Sequence, residues 1–333
     1  MSRFLFIFIL AVASAGPVAT PPPQPASGPG GIEYPFAEMT MHRYGDGDSE
    51  YWIFEPAGPT PKSEPLIIFN HGWGVMTPNA YGAWIRHLVR RGNIVIYPRY
   101  QSSLLTKMTD FTPNAVAAVK AALAELQAGD HVRPQLDRVA IVGHSMGGAI
   151  TANMAAMAPS DGLPIPEAFC CVEPANKSVF AQYFQMPMEN LHQVPARTLA
   201  LVITGDRDVI AGNETAKWIF WSLKQIPAAN KDYVTLVSDD HGTPPLVANH
   251  MAPIAVEMLD HGSVTDPSRQ RLGHKSLDAL DYYGTWKLFD GLMDAAFYGK
   301  NVQYALGDTP EQRYMGKWSD GTPVKELRVT ERP

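Results

Sequence analysis

The chain has few of the features that mark disulfide-stabilised proteins. Only two of its 333 residues are cysteine, the adjacent Cys170 and Cys171. Neighbouring side chains on a strand point to opposite faces, so a bond between these two would be strained. We expect two buried thiols, with a vicinal disulfide as the alternative. At 45% hydrophobic residues, the chain has the size and composition to fold without the disulfide framework of small secreted domains.

Positive charge is also in short supply. Lysine and arginine number 27 against 33 acidic residues, the formal net charge is -6, and no block of basic residues occurs. Proteins that bind nucleic acid carry a basic surface. We therefore expect no nucleic-acid partner and favour small neutral or apolar substrates; the sequence leaves the oligomeric state open.

The apolar run at the N-terminus is too short to span a membrane. Residues 4–12 are apolar, follow Arg3 and precede Ala13-Ser14-Ala15, a small-x-small cleavage site. This is the pattern of a secretory signal peptide. A spanning helix needs about 20 residues, so a membrane anchor is the less favoured alternative. We predict a signal peptide at 1–15, no stable membrane span, a secreted or periplasmic protein, and a flexible Pro/Gly-rich leader at 16–32.

From residue 33 to 333 the pattern predicts a single α/β domain. Short apolar runs, predicted as strands, alternate with segments whose apolar residues recur every three to four positions, predicted as helices. The strands are predicted at 39–43, 50–55, 65–70, 93–97, 138–142, 168–172, 198–204 and 233–237, and the helices at 80–91, 113–128, 146–157, 214–225 and 277–297.

This order predicts a mostly parallel, eight-stranded twisted sheet with an antiparallel start and helices on both faces. Ligands of such sheets bind at the carboxyl ends of the strands. The segment 177–194 carries aromatic residues and methionines, and either forms a small cap over this edge or packs as ordinary core.

A sharp strand-to-helix turn is predicted around Ser145. The segment Gly143-His144-Ser145-Met146-Gly147 follows an apolar run and precedes a helix of small residues. This is the pattern of a nucleophile elbow, in which the glycines leave room for a strained serine. Ser145 is therefore the predicted nucleophile, and the backbone N–H of Met146 begins a helix where it can stabilise an oxyanion.

The second oxyanion donor is predicted in the loop after the strand at 65–70. The loop reads His71-Gly72-Trp73-Gly74, and its glycines allow backbone N–H groups to approach a substrate oxygen. We predict the Trp73 amide as the donor and His71 as a residue that braces the loop. Trp73, Tyr100 and His144 are the predicted lining of the substrate pocket.

A serine nucleophile needs a base, and the base needs an orienting carboxylate. Asp208 is the predicted acid, because it follows the strand at 198–204 by the spacing Gly205-x-x-Asp208. Asp206 is assigned to capping this turn or pairing with Arg207. Glu173, at the end of the preceding strand, is kept as an alternative acid.

The predicted base is His241, on the loop that leaves the strand at 233–237. A histidine there is placed to swing over the nucleophile. His250 and His261 are its rivals, and their later positions favour helical or surface roles. The acidic neighbours Asp239 and Asp240 are expected to form the turn and to be solvated.

No metal-binding spacing, Gly-x-Gly-x-x-Gly fingerprint or Walker loop is evident in the sequence, and the chemistry of a serine nucleophile requires no cofactor. The prediction is therefore a site without metal or cofactor.

The elbow, the His71-Gly72-Trp73-Gly74 loop, Gly205-x-x-Asp208 and His241 together resemble the α/β-hydrolase superfamily of serine esterases, over about residues 39–297. The elbow and oxyanion loop are most similar to the dienelactone hydrolase, platelet-activating-factor acetylhydrolase and polyester-cutinase branch. The chain departs from relatives at Tyr97-Pro98-Arg99-Tyr100, lacks the C-terminal cysteine pair of many bacterial cutinases, and has an added tail at 297–333.

The resemblance implies an α/β-hydrolase fold and hydrolysis of a small-molecule or lipid-like carboxylic ester through an acyl-enzyme intermediate. One alternative is a serine peptidase or amidase on the same scaffold, because the triad alone does not separate esters from amides. A binding protein that has kept the fold without catalysis is the other.

Overall fold

A computed structural model describes residues 18–177, 185–259 and 277–333. The predicted signal peptide at 1–15, His261 and residues 178–184 of the predicted cap segment lie outside these ranges, so the structure says nothing about them. Within the described ranges, every helix is too short or too polar to cross a membrane.

The centre of the fold is a nine-stranded sheet with strand order β1-β2-β4-β3-β5-β6-β7-β8-β9. Its strands are β1 (Glu38–Tyr44), β2 (Tyr51–Ala57), β3 (Ser63–Asn70), β4 (Ile94–Pro98), β5 (Arg133–His144), β6 (Ala168–Val172), β7 (Leu199–Gly205), β8 (Lys231–Leu236) and β9 (Arg328–Thr330). Strands β3 to β8 are parallel to one another, whereas β1, β2 and β9 pair antiparallel at the flanks. The predicted mostly parallel sheet with an antiparallel start is confirmed, with a ninth strand from the tail.

Helices cover both faces of the sheet. They are α1 (Gly82–Arg90), α2 (Phe111–Ala128), α3 (Met146–Asp161), α4 (Glu214–Ser222), α5 (Lys287–Tyr298), which a π-helical segment (Leu280–Trp286) precedes, and the short α6 (Pro310–Arg313). Apolar residues of α1 and α5 pack in one core cluster, and those of α2, α3 and α4 pack in the other. The sheet therefore has buried apolar side chains on both faces, as a parallel sheet requires.

The two cysteines show how β6 serves both cores. Cys170 packs in the cluster that contains α1, and Cys171 in the cluster that contains α3. Both are fully buried free thiols, and burial raises the pKa of each well above its usual value. The prediction of two buried packing residues is confirmed.

The segment from residue 18 differs from the predicted flexible leader because it is bonded to the body of the domain. The carbonyl of Ala19 accepts a hydrogen bond from the Thr243 N–H at 2.8 Å, and that of Thr20 accepts one from Ser319 at 3.0 Å. The Gly30 N–H donates to buried Asp290 at 2.7 Å. Local sequence patterns do not indicate this docking, because the partners lie more than 200 residues away along the chain.

The C-terminal tail is fastened to the domain by the ammonium group of Lys287. Its side chain, on α5, is 2% exposed. Its Nζ donates to the carbonyls of Glu311, Gln312 and Tyr314 at 3.0, 2.8 and 2.6 Å. The three donors of one ammonium group thus satisfy three carbonyls around α6, and no other side chain type offers three donors from one atom.

We predict that Lys287→Met destabilises the fold, because it keeps most of the side-chain volume and leaves those carbonyls without their donor. The expected loss is about 3 kcal/mol of the free energy of unfolding, measured by urea denaturation. Lys300→Met removes an exposed ammonium group and is the matched control. Equal stabilities of the two variants would contradict this role of Lys287.

Candidate active site

Ser145 lies on a strained turn between β5 and α3. Its backbone has φ 58° and ψ -124°, a conformation that L residues rarely adopt. Hydrogen bonds on both sides hold the turn: the Ser145 N–H donates to Val172 at 3.0 Å, and its carbonyl accepts from Ala175 at 3.0 Å. The strained conformation is therefore held by the chain that leaves β6.

The two flanking glycines are required by space. A Cβ on Gly143 would lie 2.2 Å from the carbonyl oxygen of Gly147, and a Cβ on Gly147 would lie 2.1 Å from that of Asn70. No side chain fits at these distances, so the Gly-x-Ser-x-Gly pattern follows from the close approach of β3, β5 and α3 at this turn.

His250 bridges Ser145 and Asp208. The Oγ of Ser145 donates to His250 Nε2 at 2.9 Å, and His250 Nδ1 donates to Asp208 Oδ2 at 2.8 Å. The three residues are at most 8% exposed. A hydroxyl bonded to an imidazole that is itself bonded to a carboxylate is the geometry that activates a serine.

The structure does not bring the predicted base, His241, to this site, and that prediction is wrong. His241 Nε2 donates to Asp320 of the tail at 2.8 Å, and its ring packs at an angle of 56° to that of Trp318, with 5.6 Å between centroids. Its side chain is 37% exposed. Hydrogen bonds from Thr322 and His241 lower the pKa of Asp320 to about 2, so its carboxylate is charged at neutral pH.

A turn after β8 accounts for the difference. After β8 the chain reverses. The backbone N–H of Asp239 donates to the Leu246 carbonyl at 2.8 Å, and the N–H of Leu246 donates to the Asp239 carbonyl at 2.9 Å. His241 lies on the turn between them. The segment that follows Leu246 then brings His250 back to the edge of the sheet where Ser145 lies. The signal was present in Gly242-Thr243-Pro244-Pro245, a run of turn-forming residues.

The loops after β7 and β8 are bonded to each other and to the returning chain. Asp206 accepts from the backbone N–H and the hydroxyl of Ser238 at 3.0 and 2.6 Å. The Ala248 N–H donates to the Ser238 hydroxyl at 2.9 Å, and its carbonyl accepts from Arg207 at 2.9 Å. Asp206 thus anchors the β8 loop rather than pairing with Arg207. Together these hydrogen bonds fix the position of Ala248, and with it that of His250 two residues further along the chain.

Asp208 is held as an acceptor for His250. Its Oδ1 accepts from the backbone N–H groups of Ile210 and Ala211, both at 2.9 Å, which leaves Oδ2 for the imidazole. Its side chain is fully buried. Hydrogen bonds to one carboxylate oxygen fix the direction of the other.

A second carboxylate, that of Glu173, lies near the same imidazole. Glu173 is fully buried with φ 46°, and its Oε2 is 3.7 Å from His250 Nδ1 and 3.4 Å from His144 Nε2. Asp208 is 0.9 Å closer to His250 Nδ1, at hydrogen-bond distance. The geometry therefore favours Asp208 over Glu173, the alternative acid, as the partner of His250.

His144 lies behind the site rather than in the predicted substrate pocket. It is 3% exposed, its ring centroid is 4.7 Å from that of His250, and its Nδ1 is 2.8 Å from the Tyr81 hydroxyl. Burial raises the pKa of Tyr81 well above its usual value, so the hydroxyl keeps its proton. That hydroxyl accepts from the Gly72 N–H at 3.0 Å and donates to His144, linking the loop after β3 to the elbow.

The loop after β3 adjoins the nucleophile. A Cβ on Gly72 would lie 3.4 Å from the Cβ of Ser145, and the Gly74 N–H donates to Gln101 at 2.8 Å. Trp73, between the two glycines, is half-buried. Met146 is the first residue of α3, so the helix supplies its N–H with no acceptor. Of the two predicted oxyanion donors, Met146 therefore directly follows Ser145 in the chain, and Trp73 directly follows Gly72, which lies against Ser145.

Comparison with known proteins agrees with this architecture. The sequence profile of the chlorophyllase family matches residues 53–179, a range that includes the loop after β3 and the elbow. The protein has the α/β-hydrolase fold. The match indicates an ester hydrolase and confirms the resemblance to that superfamily. Asp208 and His250 lie beyond the matched range, so their place in the site rests on geometry. A search of curated proteins finds no match.

Tyr100, also predicted to line the substrate pocket, is part of the core. It is fully buried, its hydroxyl donates to the His71 carbonyl at 2.7 Å, and its ring stacks on that of His71 with centroids 4.0 Å apart. Burial lowers the pKa of His71 to about 3, so His71 is neutral. Its Nδ1 donates to the Gly72 carbonyl at 2.7 Å. The pair braces the loop and does not line a pocket.

The candidate active site also contains a group of potential metal ligands. One ligand atom from each of His144, Glu173 and His250 lies within 4.8 Å of the others. Nδ1 is the His250 nitrogen that lies near Glu173. If Nδ1 coordinated a metal, it would no longer donate to Asp208, and the neutral ring would carry its proton on Nε2, which then has no lone pair for the Ser145 proton. Metal binding by this group therefore competes with activation of the serine.

We predict that His250→Ala lowers the rate of Ser145 phosphonylation by a fluorophosphonate at least about 10³-fold, because the serine loses its base. His241→Ala, which removes a histidine from the exposed turn, is expected to change the rate less than about threefold. The measurement is the second-order rate constant of labelling at pH 7.5. The opposite ranking of the two variants would restore His241 as the base.

The two carboxylates are separated by a second pair of variants. Asp208→Asn is expected to lower kcat for an activated ester about 10³- to 10⁴-fold, because the amide favours the wrong imidazole tautomer. Glu173→Gln, at the longer distance, is expected to lower kcat less than about tenfold. Steady-state kinetics with p-nitrophenyl acetate, together with thermal unfolding to verify folding, makes the comparison. A larger loss for Glu173→Gln would assign the acid to Glu173.

Proposed function

We propose that the protein is a serine ester hydrolase that cleaves carboxylic esters through an acyl-enzyme intermediate. The observation that carries the proposal is the pair of hydrogen bonds on His250, 2.9 Å to Ser145 and 2.8 Å to Asp208. Ser145 attacks the ester carbonyl carbon and gives its proton to His250, the alcohol leaves with that proton, and water, deprotonated in turn by His250, then hydrolyses the acyl-serine ester.

The proton follows the same two hydrogen bonds. His250 Nε2 accepts the Ser145 proton during attack and returns it to the oxygen of the leaving alcohol, while Asp208 stabilises the imidazolium that exists between these steps. The backbone N–H groups of Met146 and Trp73 are proposed to hold the oxyanion of the tetrahedral intermediate, with the positive end of the α3 dipole behind Met146.

Exposed apolar side chains support a small-molecule or lipid-like ester as the substrate. Leu104 and Leu105 are 40% and 92% exposed, and Val209 and Ile210 are 93% and 48% exposed. Leu104 contacts the oxyanion loop, because a Cβ on Gly74 would lie 3.2 Å from its Cδ2. Val209 and Ile210 directly follow Asp208. Exposed apolar residues concentrated beside a site favour apolar ligands.

We also propose that the protein acts outside the cytoplasm, as a secreted or periplasmic enzyme. The support is the signal-peptide pattern of residues 1–15. The fold is suited to an oxidising compartment, since Cys170 and Cys171 are fully buried and inaccessible to thiol exchange.

We predict that a fluorophosphonate modifies Ser145, and that peptide mapping by mass spectrometry finds the adduct in the peptide that contains it. Hydrolysis of p-nitrophenyl esters of increasing acyl length, with chlorophyll as a further ester suggested by the family name, then defines the substrate. The matched p-nitroanilides test the peptidase or amidase alternative. Ser145→Ala should abolish both labelling and hydrolysis; an adduct at another residue, or hydrolysis retained in this variant, would refute the proposal.

A further inference from the structure

Two histidines and a glutamate meet at the edge of the sheet opposite the active site. His42 lies on β1, Glu55 lies on β2, and His131 lies two residues before β5 begins. Ser145 follows the other end of β5, so the 12 residues of this strand separate the cluster from the nucleophile. The cluster therefore has no part in the proposed chemistry.

The three side chains point their ligand atoms at one position. The Oε2 of Glu55 is 2.7 Å from His131 Nδ1 and 3.5 Å from His42 Nε2, and the three atoms lie within 4.8 Å of one another. Two ligands bound tetrahedrally to zinc at about 2.0–2.1 Å lie about 3.4 Å apart. The cluster thus needs shifts of only about an ångström or less to take an ion.

The backbone holds two of the ligands in place without the ion. In the β1–β2 ladder Thr40 pairs with Glu55, and His42 pairs with Ile53. His42 and Glu55 are therefore diagonal neighbours on one face of two paired strands. A site on paired strands costs little conformational entropy to assemble, since the ladder fixes both Cα positions.

The atoms that do not face the common position already have partners. The Oε1 of Glu55 accepts from the Val132 N–H at 2.6 Å. The Nε2 of His131 bonds to the Tyr44 hydroxyl at 3.0 Å and lies 3.6 Å from the Glu125 carboxylate. Metal-bound histidines and carboxylates are oriented in this way by hydrogen bonds to their remaining atoms. The arrangement leaves Glu55 Oε2 and His131 Nδ1 as the inward atoms.

Burial differs among the ligands in a way that suits binding from solvent. The side chains of Glu55 and His131 are each 5% exposed, whereas that of His42 is 44% exposed. The buried Glu55 and His131 are thus two ligands with fixed positions, and His42 is a third ligand that solvent can reach. An entering ion would displace the proton on His131 Nδ1, and the neutral ring would then carry its proton on Nε2, facing Tyr44 and Glu125.

We propose that His42, Glu55 and His131 form a binding site for a zinc-type divalent cation, with water in the fourth position. Two imidazoles and one carboxylate match the ligand preferences of Zn²⁺, whereas Ca²⁺ and Mg²⁺ prefer oxygen ligands alone. The site joins β1, β2 and the loop before β5, so its expected effect is on stability. Sequence spacing does not indicate it, because the three ligands come from separate segments.

The test is isothermal titration of the full-length, EDTA-treated protein with ZnCl₂ at pH 7.5, together with the Tm measured with and without Zn²⁺. We expect one ion per chain with a Kd of about 1 µM or tighter, a raised Tm, and no stabilisation by Mg²⁺. His42→Ala is the decisive variant, because His42 is the exposed ligand and its loss leaves the buried Glu55–His131 pair intact. It should weaken binding at least tenfold and remove the Tm increase.

His192→Ala removes an exposed histidine elsewhere and is the matched control; it should bind Zn²⁺ as the unchanged protein does. Glu55→Gln, which keeps the side-chain shape, should weaken binding as His42→Ala does. Equal affinity in the unchanged protein and in His42→Ala would place the ion elsewhere, for example at His144, Glu173 and His250, and would overturn the proposal. An absence of binding would leave the cluster as an ion-pair network only, and would overturn it equally.

Discussion

The imidazole of His250 holds the active site together, because its two nitrogens bond at the same time to residues from two different strand ends. Nε2 meets Ser145 beyond β5, and Nδ1 meets Asp208 beyond β7. The histidine itself arrives from the chain beyond β8. Much of the surrounding structure serves to keep this ring in place: the strained elbow fixes the hydroxyl, and the contacts of Asp206, Ser238 and Ala248 fix the chain that carries the ring.

Burial gives these polar contacts their strength and also requires that each be matched. Asp208, Glu173 and His144 all lie at the edge of the core, where an unpaired charge is costly. Asp208 meets this requirement with two backbone N–H groups and one imidazole. Glu173 faces His144 and His250 together. The site is therefore a buried network of two carboxylates and two imidazoles, of which only the Asp208–His250 pair reaches the serine.

The sequence predicts the parts of this site that local physics determines. Ser145 is recognised because the glycines at 143 and 147 are the only residues that fit its turn, and Asp208 because it follows a buried strand directly. The prediction of His241 as the base is wrong because which histidine reaches Ser145 depends on where the chain reverses after β8. The two backbone hydrogen bonds between Asp239 and Leu246 fix that position. The docking of residues 18–32 and the cluster of His42, Glu55 and His131 are likewise non-local, and no spacing in the sequence reports them.

The most direct measurement of the central claim is a crystal structure of the protein after reaction with a fluorophosphonate. The account predicts a phosphonate ester on the Oγ of Ser145, one phosphonyl oxygen bonded to the backbone N–H groups of Met146 and Trp73, and His250 in contact with the adduct while it still donates to Asp208. An adduct contacted by His241 in place of His250, or a His250 ring that no longer meets Asp208, would contradict it.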